Sequence, residues 1–257
     1  MIDLHCHILP GLDDGPPDLD ASAALARLAA ADGTRTIVAT PHVREDYPFA
    51  IEEIATLTQH VNERLRADDV PVQVKAGAEV AISRLSQLDD DTLKRICLGD
   101  DTNAMLVESP YQQATDTLED TLFNLQLRGF KPVLAHPERS PSFMSDPDRL
   151  EKLVERGMLC SVTSASMAGR FGRTVQRFTR TLFERGLVHD VASDAHDIMR
   201  RAPGLTAGFR LLDRDVPGLL GQIEWFTREA PEAILAGRAL PAKPELPPPP
   251  RRWLRRS

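Results

Sequence analysis

The sequence has no long uninterrupted apolar run, so no segment reads as a bilayer-spanning helix. Its first residues, M-I-D-L-H-C-H, carry neither a basic n-region nor an apolar h-region, and no secretory signal is expected. Cysteine is scarce: Cys6, Cys97 and Cys160 are odd in number, widely spaced and without a C-x-x-C. That pattern argues for a reducing compartment rather than a disulfide framework, which makes the cytoplasm the expected location. Excess positive charge is missing too. A net charge of −7 speaks against a nucleic-acid partner, since such proteins usually show a basic stripe. No G-x-S-x-G elbow, Walker loop or Rossmann fingerprint is present, and none of the three cysteines is followed six positions later by an arginine. Serine, nucleotide-loop and thiol nucleophiles therefore drop out.

What is present is an ordinary globular composition, 42% hydrophobic over 257 residues, enough for one large core without staples. Short apolar runs alternate with amphipathic stretches. Ile2–Cys6, Thr36–Thr40, Val70–Ala76, Ala104–Val107, Pro132–Ala135, Leu159–Thr163 and Val188–Ala192 read as strands. Leu19–Asp32, Ile51–Arg66, Asp116–Arg128, Asp148–Arg156 and Val175–Arg185 read as helices, most of them stopped by a glycine. Strands alternating with helices imply βαβ units, a parallel sheet and, at this length, closure into a barrel. The chain is expected to form one domain over residues 1–240. A Pro-rich, then basic tail over 241–257 is expected to be extended or disordered.

The chemistry gathers at strand ends. His5 and His7 are two apart on the first strand and so point to one side of it. Alone, such a pair is a weak signal. The other strands, however, run into His42, Glu79, Glu108, His136 and the Asp194-Ala195-His196 triplet. Six strands thus deliver a metal-type ligand at or just past the C-terminal end, the rim that carries the active site in α/β barrels. Asp13 and Asp14 follow the first strand, and a loop there can swing one of them in. With Asp14 taken, Asp14, Glu79, Glu108 and Asp194 put four carboxylates in one pocket, where without cations they would raise each other's pKa strongly. Five histidines and four carboxylates exceed the needs of one ion, so two or three ions with bridging carboxylates are implied, and mixed ligation suits Mn, Fe or Zn. His60 and His189 stay outside this set, as a solvated and a packed residue. Arg139, in H-P-E-R, and one of Arg200 and Arg201, after His196, are placed to hold phosphate as planar two-donor forks.

These motifs together resemble the PHP (polymerase and histidinol phosphatase) superfamily, and within it the bacterial CpsB/CapC-type protein-tyrosine phosphatases of capsular and exopolysaccharide operons. The matching segments are M-I-D-L-H-C-H-I-L-P-G-L-D-D-G, A-T-P-H, G-A-E-V, L-V-E-S-P, L-A-H-P-E-R and A-S-D-A-H followed by R-R-A-P, in order through residues 1–204. The resemblance implies a distorted (β/α)7 TIM-like barrel of the PHP fold and a site of three divalent metal ions, often manganese. It places the ligands on His5, His7, Asp14, His42, Glu79, Glu108, His136, Asp194 and His196, and the phosphate-binding arginines on Arg139 and Arg201. It implies hydrolysis of phosphotyrosine on the tail of a bacterial tyrosine kinase that controls polysaccharide export. Two alternatives share the fold: a small-molecule phosphatase acting on histidinol phosphate or a sugar phosphate, and a non-catalytic PHP scaffold. One departure stands out: the segment S-V-T-S-A-S-M-A-G-R-F-G has Thr163 near the place where the family pattern leads one to expect Asn.

Overall fold

A computed structural model of the chain describes residues 1–108 and 117–245. The order of elements begins β1 (Ile2–Cys6), α1 (Leu19–Ala31), β2 (Thr36–Ala39), β3 (His42–Val43) and α2 (Ile51–Ala67). It continues with β4 (Gln73–Ala76), β5 (Glu79–Ala81), α3 (Asp90–Arg95), β6 (Ala104–Glu108), α4 (Leu118–Leu127) and β7 (Lys131–Ala135). Then come α5 (Pro141–Ser145), α6 (Pro147–Glu155), β8 (Leu159–Thr163), α7 (Ser164–Met167) and α8 (Arg173–Glu184). The last are β9 (Asp190–Ala192), α9 (Thr206–Leu212) and α10 (Ala230–Leu235), the last preceded by a π-helical turn at Trp225–Glu229.

All seven expected strands form, and every pairing between them is parallel. Two short strands, β3 and β5, were not foreseen. Each continues the track of the strand before it after a two-residue break, at Thr40-Pro41 and at Gly77-Ala78. Pro41 has no N–H to give to a ladder, but its carbonyl accepts from the Glu79 amide (3.1 Å), so β3 and β5 resume side by side. Gly77 is held by close approach: a Cβ there would lie 2.7 Å from Val38 Cγ1. Counting β2/β3 and β4/β5 as one track each leaves seven tracks in the order of the chain. The last closes on the first through a Cys6–Ala195 bridge and hydrogen bonds from Asp194 N to His5 O (2.8 Å) and His7 N to Ala195 O (2.9 Å). The result is the distorted seven-stranded α/β barrel that the sequence led us to expect.

Strand ends shift for local reasons. The third expected strand begins at Gln73 rather than Val70, because Pro71 interrupts its donors. The last begins at Asp190 rather than Val188: His189 Nδ1 accepts the Cys160 amide (3.1 Å) where a backbone carbonyl would sit in a longer strand. The expected helix from Asp116 is observed from Leu118; position 116 lies outside the described residues.

Alternation sets the layers. Ala104 and Leu106 share the strand face of Glu108, and they cluster with Val133, Ala135, Leu159 and Ile234 of α10 to fill the barrel beneath the rim. Met105 and Val107 point the other way and join the larger apolar layer under the helices, with Leu122, Leu125, Phe178 and Leu182. Burying a Leu or Phe in such a layer stabilises by about 1.5–3 kcal/mol each, which anchors the rim. Of the tail, residues 241–245 are described and run back over the domain, where the Lys243 ammonium donates to the carbonyls of Gly186 (2.8 Å) and Val188 and lies 5.4 Å from the Trp225 and Phe226 rings. Residues 246–257, the rest of the expected tail, lie outside the described residues.

Candidate metal centre

The rim at the strand C-termini holds His5 and His7 from the end of β1, His42 from β3, Glu79 from β5 and Glu108 from β6. His136 follows β7, and Asp194 and His196 follow β9. All are buried. Asp14 reaches in from the loop after β1 with its side chain 46% exposed. Ligand atoms within 4.8 Å of one another form four sets: His7, Asp14, His42 and His196; His5, Glu79 and His136; His5, His7 and Asp194; His42, Glu79 and Glu108. The sets share His5, His7, His42 and Glu79, so they are contiguous. Every residue singled out in the sequence as a ligand falls in at least one.

Two carboxylates sit at the centre. Glu79 Oε2 lies 3.3 Å from His5 Nε2, 3.4 Å from His7 Nε2 and 3.0 Å from His42 Nδ1, yet receives no hydrogen bond. Asp194 Oδ1 lies 3.4 and 3.5 Å from His5 Nε2 and His7 Nε2 and receives none either. The His5 and His7 Nε2 atoms are themselves only 3.2 Å apart. Buried acceptors that face ring nitrogens without a shared proton are costly in a dry interior. A shared cation removes that cost, and imidazole with carboxylate is a donor set that divalent transition metals accept. The residues present therefore fit a metal cluster.

The charges respond accordingly. Burial alone would push Glu79 up, but the His5, His136 and His42 imidazoles hold it well below the ordinary carboxylate range. Burial is likewise overcome at Asp194 by Arg139, His5, His7 and Arg201. Glu108 moves the other way, raised by burial and by its like-charged neighbour Glu79. Burial and the Arg139 charge lower His136 to about 4, so its imidazole is neutral and suited to ligation. Two of these residues, His136 (φ 36°) and Asp194 (φ 53°), adopt left-handed backbone that non-glycine residues enter at a cost of about 1–3 kcal/mol. Such strain is retained where surrounding contacts demand a particular side-chain direction.

The arginines meet on one atom. Arg139 Nη2 (2.6 Å) and Arg201 Nη2 (2.7 Å) both contact Asp194 Oδ2, and Arg201 Nη1 also lies 2.8 Å from His196 Nε2. Of Arg200 and Arg201, the second reaches the cluster, whereas the exposed Arg200 side chain makes no such contact among the described residues. His60 lies exposed on α2 and His189 packs at the start of β9, both away from the cluster.

Three further residues belong to the site. Asp13 Oδ2 is 2.6 Å from His7 Nδ1 and accepts the His42 amide (2.9 Å), while Oδ1 accepts the Gly15 amide (3.0 Å). Gly15 itself is forced, since a Cβ there would lie 2.4 Å from His7 O. Arg44 Nη1 donates to Glu108 Oε1 (3.0 Å) and its fork is fixed by Asp46. Tyr47 stacks on His42, with centroids 5.4 Å apart and planes 9° apart. One signal for Arg44 was present in the sequence: it stands two residues past His42, a spacing that shares a face in extended chain. Nothing local marks Tyr47. Thr163 is buried, and its amide donates to Glu138 Oε1 (3.0 Å), which also accepts from Ser166 Oγ (2.6 Å).

A parallel α/β barrel with nested imidazole–carboxylate sets on its C-terminal rim defines a TIM-barrel-like protein of the kind that carries out metal-assisted chemistry. Relatives make the class specific. Residues 1–232 match the family described as "Capsular polysaccharide synthesis, CpsB/CapC", and the chain belongs to that family. It is 36% identical over 252 residues to the tyrosine-protein phosphatase YwqE of Bacillus subtilis, covering 96% of each chain. It is 29% identical to the tyrosine-protein phosphatase CpsB of Streptococcus pneumoniae, with 82% of this chain and 89% of the other covered. A crystal structure from work on those two proteins, described there as unique metal-dependent tyrosine phosphatases, superposes with a TM-score of 0.84 at 35% identity over 97% of this chain and 100% of that one. A lactonase from Listeria monocytogenes shares the fold alone, at 11% identity and a TM-score of 0.60 over 93% of this chain and 95% of the other.

Proposed function

We propose that the chain is a metal-dependent protein-tyrosine phosphatase. In this reading it acts in the cytoplasm on the phosphotyrosine tail of a bacterial tyrosine kinase that governs capsular or exopolysaccharide synthesis. The observation that carries the chemistry is the pair of buried oxygens, Glu79 Oε2 and Asp194 Oδ1, ringed by imidazole nitrogens without a hydrogen bond. His5, His7, Asp14, His42, Glu79, Glu108, His136, Asp194 and His196 hold three divalent ions in this account, manganese first, with iron or zinc as alternatives. Glu79 is the one carboxylate common to two of the four sets, so it would be placed to serve more than one ion. When bound, the ions supply Lewis-acid activation of water and neutralise charge on the phosphoryl oxygens.

The protein's own groups do the rest. Arg139 and Arg201 present charged donors at the edge of the centre, and a phosphoryl group competes with Asp194 Oδ2 for them. Both aim at where negative charge develops during phosphoryl transfer, so they bind the transition state more tightly than the ground state. Asp13 fixes the ring orientation of His7, and Tyr47 backs the ring of His42. A phenol leaves readily, with a pKa of about 10, so no strong general acid is needed. That suits a centre in which each nearby histidine already has a place in a ligand set. Residues 1–240 form the catalytic unit in this reading.

Elemental analysis of the purified protein, paired with hydrolysis of a phosphotyrosine peptide before and after chelation, tests the proposal. Two or three transition-metal ions per chain are expected, with activity lost on chelation and restored by Mn²⁺. At most one ion per chain, or full activity after complete metal removal, would contradict it.

A further inference from the structure

A pocket of about 170 Å³ opens beside the arginine pair, between the start of α7, the segment before α8 and the chain leading into α9. Asp194 and Arg201 are among its walls, so it is continuous with the atom on which both site arginines converge. Its character changes away from them. Ala165, Ala168, Phe171 and Pro203 supply apolar surface. Phe171 is 36% exposed, and its ring carries the Arg139 guanidinium 4.8 Å from its centroid. Gly208 keeps the pocket's base tight: a Cβ there would lie 2.6 Å from Ser164 Oγ. Arg170 and Arg200 also line it, exposed and with no side-chain partner among the described residues.

We infer that this pocket takes the aromatic ring of an aryl phosphate, with Phe171 as the residue that selects aryl over alkyl esters. The inference rests on the phosphatase reading above and deepens it. A phosphoryl group held by Arg139 and Arg201 leaves its ester substituent beside them, and this apolar-walled space adjoins that point. A cavity of about 150 Å³ is sufficient to admit a benzene ring, so the volume is adequate. Phe171, partly exposed in the pocket wall, offers an offset or edge-on partner for a ring, a contact an alkyl chain or a hydroxylated sugar cannot make equally well. The cationic lining favours a ligand that brings negative charge with its ring. Phe171 would have a second effect, through the guanidinium it supports, and that effect would weaken every phosphate ester alike.

Calorimetric titration of the Mn²⁺-loaded protein with phenylphosphonate and with ethylphosphonate separates the two effects. Wild type is expected to bind phenylphosphonate more tightly. Phe171→Ala is expected to weaken phenylphosphonate by about five- to tenfold and ethylphosphonate by less than twofold, with metal content unchanged and the same pattern, smaller, for Phe171→Leu. Equal weakening of both ligands, no weakening of either, or a wild type without preference for the aryl ligand overturns the inference. Failure of the phosphatase reading would show separately, as a wild-type protein that binds phosphonates but does not hydrolyse a phosphotyrosine peptide.

Discussion

Replacing Asp13 by Asn would remove one charge and misdirect one hydrogen bond, leaving the proposed ligand set intact. Asp13 is buried enough that desolvation resists its charge, yet the His7 ring and the His42 and Gly15 amides hold its pKa below the ordinary value. It is therefore an ionised carboxylate, which can only accept, so the 2.6 Å contact fixes a proton on His7 Nδ1 and leaves Nε2, which faces Glu79 and Asp194, as the nitrogen that would meet a metal ion. An Asn must place one amide NH₂ among three donors, at His7, His42 and Gly15. Either choice of rotamer loses a charge-assisted bond of about 1.5–3 kcal/mol. Outer partners of metal-binding histidines typically cost 10- to 100-fold in metal affinity when removed, about 1.4–2.7 kcal/mol, which agrees with that loss. Asp13→Asn should thus raise the Kd for Mn²⁺ by about 10- to 100-fold, while kcat at saturating Mn²⁺ returns to within a few-fold of wild type. Calorimetric metal titration of the chelator-treated protein reads the first quantity and a saturation curve of rate against Mn²⁺ the second. A Kd within twofold of wild type would refute the role given to Asp13.

Arg139→Ala and Arg201→Ala should each lower kcat/KM by about 10²- to 10³-fold, as expected for donors aimed at developing charge, with metal content unchanged by elemental analysis; wild-type kcat/KM in both would remove them from the mechanism. Asp190 should give a pH signature. Burial, opposed by the Ser161 hydroxyl, raises its carboxyl to about 8, so the folded chain keeps a proton that the unfolded chain loses near 4. Stability contributed by that proton is complete below pH 4 and declines as pH rises to about 8, by up to about 1.4 kcal/mol per pH unit. Urea unfolding of wild type and Asp190→Asn at several pH values should show the difference between them changing over that window and flat above it; a constant difference would mean that Asp190 is ionised in the fold. Truncation after Glu245 should leave the Tm and the hydrolysis of a small aryl phosphate unchanged, whereas truncation after Leu240 should cost about 1–3 kcal/mol, because Lys243 loses its bonds to the Gly186 and Val188 carbonyls. Equal Tm values for the two would show that those contacts stabilise nothing.

The barrel was legible because its signals are periodic and local. Runs such as T-I-V-A and A-M-L-V alternate with amphipathic helices, and a potential ligand at six of the seven strand ends marks the rim. The breaks in two tracks were not legible, since a two-residue strand such as His42–Val43 is shorter than any pattern window, and Pro41 reads as an ending rather than a pause. At the site, residue type and strand position sufficed to nominate ligands that bind through their own side chains. They could not separate Asp13 from Asp14, because adjacent loop residues carry no facing information. Asp14 faces His196 and His42 across the mouth of the centre, and Asp13 turns beneath it to His7. The convergence of Arg139 and Arg201 on a single oxygen of Asp194 was equally out of reach. It depends on Asp194 adopting positive φ after β9, a conformation that no composition announces. The same holds for Phe171, whose meaning comes from a guanidinium 32 residues earlier in the chain.

In the proposed function, this rim hydrolyses phosphotyrosine rather than a small alkyl phosphate. The most direct test is kcat/KM of the Mn²⁺-loaded protein on three substrates side by side: a phosphotyrosine peptide, a phosphoserine peptide and histidinol phosphate. The phosphotyrosine peptide is expected to be turned over most efficiently, by at least about tenfold, the factor given by one bidentate or stacking contact of 1.4 kcal/mol. Histidinol phosphate turned over more efficiently than the phosphotyrosine peptide would contradict that function and make the protein a small-molecule phosphatase on the same barrel.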